Sequence, residues 1–212
     1  WDSFKRRETY ATSGPRILLW FNLIDKTESL PMGTETSKKE NPVFEVKAIG
    51  SFKQKPGCPD YVHTAMSAEE ISRLCLNECY NPSNERNKID RIEIVKITPT
   101  TELDSISNNI QDPWKVFTCN DKGEGCSVNF FDDEYVLNNK SSLYYARAIQ
   151  EPTNMVGGDP LRCELNEAGE CIKIRPCYSS GPDFDPNDDC LALVGERAWS
   201  SPIFLTHPMS IY

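Results

Sequence analysis

Residues 6–21 read RRETYATSGPRILLWF, and two kinds of pattern meet inside them. Upstream of the junction, Trp1 to Ala11 is helix-like, with Trp1, Phe4 and residues 9–11 set around a charged face. Ser13-Gly14-Pro15 then predicts a stop, because glycine supplies a left-handed cap and proline cannot continue the hydrogen-bond ladder. From Ile17 the run ILLWFNLI is apolar at nearly every position, which reads as a strand covered on both faces. The expectation is a helix over residues 1–13 that hands over to a β-rich part over residues 14–212. A Trp in first place with no initiator Met reads as a chain whose natural start lies further upstream.

Working outward, strand candidates fall at 16–24, 43–49, 91–98, 114–118, 143–150, 171–175 and 202–206. The clearest is VFEVKAI, where Phe44, Val46 and Ala48 share the face opposite Glu45 and Lys47, the alternation of a half-buried strand. Beyond the opening helix, one more is well marked. Ser67-Ala-Glu-Glu70 is a capping box, followed by Ile71, Leu74 and Cys75 at helical spacing. Clusters of Pro, Gly, Asn and Asp at 55–59, 80–84 and 180–186 read as turns and long loops, and the polar 25–41 segment reads as mobile. Short strands with marginal helices predict a mainly β protein, an antiparallel sandwich-like domain with an N-terminal helix, one further short helix and disulfide-stapled loops.

A chain of 212 residues buries an adequate core without cross-links, so its nine cysteines are not demanded by size. Their density points to an oxidising compartment. Zinc is the competing use, but there is no Cys-x-x-Cys pair, and only His63 and His207 supply imidazole. Polar, Gly-containing turns between Cys119 and Cys126, and between Cys163 and Cys171, predict local hairpin bonds; Cys177 and Cys190 enclose a third loop. Crowding leaves Cys163 the alternatives of Cys177 or Cys190. Such short loops staple surface hairpins and need not organise the core. Cys58 takes Cys75 or Cys79, and the thiol left over is either free or bonded to a part of the protein outside this chain. A catalytic thiol there would need a neighbouring base, which two His in unrelated loops do not promise.

With 23 basic against 32 acidic residues the net charge is -9, which argues against nucleic acid as a partner. No apolar run approaches the length of a membrane span, and no signal peptide is present; a leader for export would precede Trp1. The acidic loop at 183–189 offers oxygen ligands for calcium but lacks the glycine and terminal Glu of the twelve-residue calcium loop. Phosphate-loop, nucleophile-elbow, zinc-helix and dinucleotide motifs are all missing.

Four stretches, RETYATSGPRI (7–17), RIEIVK (91–96), LYYARAIQEPT (143–153) and ERAWSSPIF (196–204), in that order resemble the C-terminal third of a bacterial family known as domain of unknown function 3604. The Cys-rich inserts, and FFDDE (130–134) in place of a Trp-Asp-Pro-like turn, depart from that pattern. The family is similar to the polymerase and histidinol phosphatase superfamily, whose distorted barrel carries His and Asp ligands for two or three metal ions. The resemblance implies that residues 1–13 are the last helix of a barrel upstream of Trp1, and that the parent is an exported bacterial hydrolase using metal-bound water on a phosphate or other ester. It implies that the divalent metal ions belong to the upstream part, with no catalytic residue, cofactor or metal ligand in this chain.

Two functions follow. In the first, the chain is a non-catalytic β-rich portion that packs on the barrel as its partner and walls its active site. Tyr10, Ser13 and Arg16 are then the substrate-facing or barrel-rim residues, with Arg16 suited to an anion or to a rim carboxylate. In the second, it is an independent extracellular binding module, for a glycan for example, with Tyr144, Tyr145 or Trp199 as the aromatic platform.

Overall fold

The computed structural model describes the 212-residue chain apart from residues 27, 76–78, 101–108, 121, 157, 160, 178–184, 186, 189 and 210–212. Its opening helix is shorter than the sequence pattern predicts. The helix α1 covers Asp2–Lys5, and Tyr10–Thr12 is a strand, β1. One helical turn forms too few internal hydrogen bonds to hold without tertiary cover, and α1 buries none of its residues. Arg7 turns left-handed (φ 60°), and the next residues satisfy their backbone by pairing antiparallel with the chain near its other end, Tyr10 opposite Ser200 and Thr12 opposite Ala198. Ser13-Gly14-Pro15 therefore links two strands rather than capping a helix, and residues 10–12 belong to the β-rich part.

Next come β2 (Leu18–Asp25), β3 (Glu28–Pro31), β4 (Glu35–Ser37) and β5 (Val43–Ile49). The strand β2 is covered on one face, not two: Leu19, Phe21 and Leu23 are buried, while Trp20 points outward beside Lys47 of β5. The polar 25–41 segment is ordered into β3 and β4, anchored by Leu30 and Met32 against the core. Then follow β6 (Phe52–Gln54), α2 (Asp60–Ala65), α3 (Ala68–Cys75) and β7 (Pro82–Arg86). The capping box forms as its sequence requires: Ser67 N–H donates to Glu70 at 2.9 Å and Glu70 N–H donates to the Ser67 hydroxyl at 3.3 Å. The chain continues through β8 (Ile89–Ile97), β9 (Ile110–Thr118), β10 (Cys126–Phe131), α4 (Tyr135–Asn138) and β11 (Ser142–Gln150). It ends with β12 (Thr153–Val156), β13 (Glu164–Leu165), β14 (Cys171–Lys173), β15 (Leu191–Val194), β16 (Arg197–Ser200) and β17 (Ile203–Thr206).

These strands make an antiparallel, sandwich-like arrangement. In the larger sheet β11 is central: β8 and then β9 lie on one side, and β16 and β17 follow one another along the other. Outside them lie β1 on β16 and β4 on β17, the latter a parallel pair. The second sheet runs β10-β5-β2-β3. Between the sheets, Phe44 of β5 packs its ring 5.5 Å from Phe21, 5.1 Å from Phe130 and 4.7 Å from Tyr144 of β11. Ala146, Ala148 and Ala198 share the buried face and leave room for these rings.

Four disulfides pair Cys58 with Cys79, Cys119 with Cys126, Cys163 with Cys171 and Cys177 with Cys190, and Cys75 is free. The Cys163–Cys171 bond closes the β13-β14 hairpin. The Cys119–Cys126 bond has a different place from the surface staple its spacing predicts. It joins the end of β9 in one sheet to the start of β10 in the other, against the core. These bonds assign the chain to an oxidising, non-cytoplasmic compartment. Among the described residues, no helix is long and apolar enough to cross a membrane.

Two measurements check this fold. Trp1 and Phe4 are 82% and 67% exposed, so replacing both with Ser should cost under about 1 kcal/mol in thermal unfolding, whereas Phe44→Ala should cost about 3–5 kcal/mol. A large loss in the double variant would show that α1 is packed in solution. In denatured, unreduced protein one thiol per chain should react, and peptide mapping should place it at Cys75. A peptide joining Cys163 to Cys177 or Cys190 would overturn the hairpin bond.

Candidate functional site

A cleft of about 670 Å³ opens beyond the end of β11, lined by the 14–16 turn, Ser51 and β6, Tyr80, Asn87, Gln150, the start of β12, and Glu196. Its floor is a close approach of two backbone segments. A Cβ at Gly50 would lie 1.8 Å from the carbonyl oxygen of Asn87, so only glycine lets these segments meet. Asn87 N–H donates to the Ser51 carbonyl at 2.8 Å, and its side-chain amide donates to the Ser51 hydroxyl at 3.0 Å. That hydroxyl donates in turn to Gln150 Oε1 at 3.0 Å, and Ser51 N–H reaches the same oxygen at 3.3 Å. Because a backbone N–H can only donate, the Gln150 oxygen must face Ser51 and its Nε2 must face away. Gln150 is 1% exposed, and among the described residues Nε2 finds no hydrogen-bond partner.

The walls carry charge. Arg16 lays its guanidinium 4.4 Å over the ring of Tyr80, and among the described residues it forms no ion pair or side-chain hydrogen bond. Glu196 is buried to 5% exposure and takes a short hydrogen bond from the Ser13 hydroxyl, which itself accepts the N–H of Arg197 at 2.9 Å. Lys53 lines the far side in a loose, exposed pairing with Glu85 at 3.7 Å. The chemistry on offer is hydrogen bonding and charge recognition: two cationic groups, one buried carboxylate, several amides, and one buried donor without an acceptor.

Of the rim residues expected from sequence, Arg16 lies in the cleft wall and Ser13 stands behind it through Glu196. Tyr10 sits on β1, exposed and outside the lining. Of the three aromatic residues named for a binding platform, Tyr144 is excluded by its full burial in the core, while Tyr145 and Trp199 are half-buried and stand outside the cleft lining. Burial, reinforced by the neighbouring Asp132 carboxylate, holds the Tyr144 phenol protonated far above its ordinary range. The residues that build the cleft floor, Ser51, Asn87 and Gln150, carried one legible signal. Gln150 continues the parity of Tyr144, Ala146 and Ala148, so a polar side chain falls where the strand pattern demands an apolar one.

A second polar cluster is wholly internal. Lys96 Nζ sits 2.5 Å from Asp132, the Tyr144 hydroxyl donates to the same carboxylate at 2.6 Å, and the indole of Trp114 lies 5.1 Å from Nζ. Its groups satisfy one another, and they tie β8 and β11 of one sheet to the turn that leaves β10 of the other. This is a structural bridge. The two histidines are apart: His63 is exposed on α2, while His207 is buried, with Nδ1 accepting from Met209 N–H at 3.2 Å and its ring against Tyr135. Among the described residues no three His, Cys, Asp or Glu side chains gather as a metal site. The calcium reading of the acidic loop falls largely outside the described residues. Within it, Asp188 pairs with Arg162 at 2.6 Å, and hydrogen bonds from Arg162 and from Cys190 N–H hold its carboxyl at about 2.

No family model, curated protein or solved structure matches the chain.

Lys96→Met would strand the Asp132 carboxylate in the core without its cation, and should cost about 3–5 kcal/mol in urea unfolding. The Lys96→Met, Asp132→Leu double variant should recover part of that loss. Additive losses would show that the two groups are not coupled.

Proposed function

We propose that this chain is the non-catalytic β-rich portion of an exported bacterial hydrolase, periplasmic or extracellular, and that its cleft forms one wall of that enzyme's substrate site. One observation supports the reading above others: three of the four stretches that carry the family resemblance converge on one cleft. Arg16 comes from the first, Gln150 and Thr153 from the third, and Glu196 from the fourth. Ser13 and Glu196 touch although they are 183 residues apart, and the remaining stretch pairs with the third along β8 and β11. Segments scattered along a chain and gathered at one concave, polar place are the usual form of a binding site.

In this reading the metal ligands belong to a barrel upstream of Trp1. In the same reading no chemical step falls to the residues of this chain. They bind and orient: Arg16 faces the anionic part of an ester substrate, and the floor amides fix its remainder. Trp1 and Phe4 stack on each other at 5.8 Å on an uncovered helix, an apolar surface suited to the barrel. The competing reading, an independent extracellular binding module, draws on the same cleft, where the ring of Tyr80 stands among polar side chains such as Gln54, Asn87 and Asn154.

The coding sequence ahead of Trp1 separates the two. A His-x-His motif followed by Asp-x-His motifs is expected, whereas an unrelated domain there would leave only the binding module. The isolated chain should turn over neither phosphomonoesters nor phosphodiesters with manganese or zinc added. Turnover that disappears in His63→Ala or His207→Ala would overturn the non-catalytic assignment.

A further inference from the structure

The cleft says more about its ligand than that one binds. Among the described residues Gln150 Nε2 is a buried donor with nothing to donate to, although Ser51 and Asn87 fix the rest of its amide. A buried amide left in this state is costly, and an acceptor atom from outside the chain removes the cost. Arg16 is the second unspent donor. Its guanidinium lies over the ring of Tyr80, a contact that leaves its charge and its N–H groups available to an oxyanion.

Glu196 lines the same cleft, its buried carboxylate held by the Ser13 hydroxyl. A bare phosphate or carboxylate would meet repulsion from it, and a neutral sugar would leave the Arg16 fork unused. A ligand that joins an oxyanion to hydroxyl groups suits all three, because a hydroxyl donates to the carboxylate and accepts from the amide. The volume, about 670 Å³, lies in the usual range for small-molecule sites. We propose that the cleft binds an acidic sugar, with its carboxylate or phosphate on Arg16 and its hydroxyls between Glu196 and Gln150 Nε2. The proposal rests on the reading above only for the place of the site and does not require the upstream barrel.

Titration of the ¹⁵N-labelled chain, followed by NMR, tests it with four probes: glucuronate, glucose 6-phosphate, glucose and inorganic phosphate. At least one acidic sugar should shift the Gln150 side-chain NH₂ resonances and the Gly14 and Arg16 amides saturably, and which one does so identifies the oxyanion. Glucose and inorganic phosphate should bind about tenfold more weakly or not at all. Arg16→Met, which keeps an unbranched apolar side chain but loses the fork, should weaken binding about tenfold. Gln150→Glu, which keeps the acceptor for Ser51 but loses the donor, should do the same. Should Gln150→Glu fail to fold, Arg16→Met alone decides. The proposal is overturned if neither acidic sugar gives a saturable shift, if glucose or phosphate binds as well, or if Arg16→Met leaves affinity unchanged. Acidic-sugar binding with an unrelated upstream sequence would remove the hydrolase reading and keep this one. Metal-site motifs upstream with no binding would do the reverse.

Discussion

The rings of Phe44 and Tyr144 lie 4.7 Å apart, and the Tyr144 hydroxyl ends on Asp132, which holds Lys96. Both halves of Tyr144 are thereby used. The ring fills the space between the sheets, and the hydroxyl reaches a carboxylate carried by the turn after β10, so the second sheet is fixed in position as well as in distance. A phenylalanine at 144 would keep the apolar contact and lose the registration. Burial of the Lys96–Asp132 pair is costly in itself, and its worth lies in specifying one arrangement of the sheets over others of similar apolar content.

The position of the cleft follows from the same strand. Tyr144, Ala146 and Ala148 keep β11 on the core, and Gln150 is where β11 runs past the second sheet and its inward face meets the polar segments at Ser51 and Asn87. The register between β8 and β11 slips there, between Ile149 and Gln150. Irregular pairing of this kind commonly ends a ladder and re-aims a side chain next to a site. On the other flank, Gln150 N–H still donates to the Glu196 carbonyl at 3.0 Å. Floor and wall are thus held by backbone contacts of a rigid sheet, the condition under which a few polar groups can discriminate between ligands.

Strands with strong alternation were legible from composition alone. VFEVKAI occupies its expected span, and LYYARAIQ and RIEIVK shift by a residue or two at their ends. Weak strands such as β1, β4, β6 and β7 were not, because each has a partner distant in the chain and little apolar periodicity of its own; tertiary pairing decided them. The opening helix failed for that reason, since Tyr10–Thr12 gains more from an open sheet edge than from extending a one-turn helix. Turn chemistry identified the Cys163–Cys171 hairpin but could not show that Cys119 and Cys126 lie on different sheets. Arg16 was legible as a charge beside a Gly-Pro turn. The unpaired Gln150 donor was not, because it depends on which way an amide is held by a residue about a hundred positions away.

Ser201-Pro202 breaks what would be a single long strand into β16 and β17, and each half is covered on its outer edge by a segment from the first forty residues: β1 on β16, β4 on β17. β1 and β4 are therefore the outer neighbours of strands made much later. During synthesis they emerge with no partner and wait, as bare edges, until β16 and β17 have emerged as well. The large sheet cannot close before then. Its completion is a long-range event, and before it the nascent protein presents unpaired strand edges of the kind that chaperones hold and that aggregates recruit.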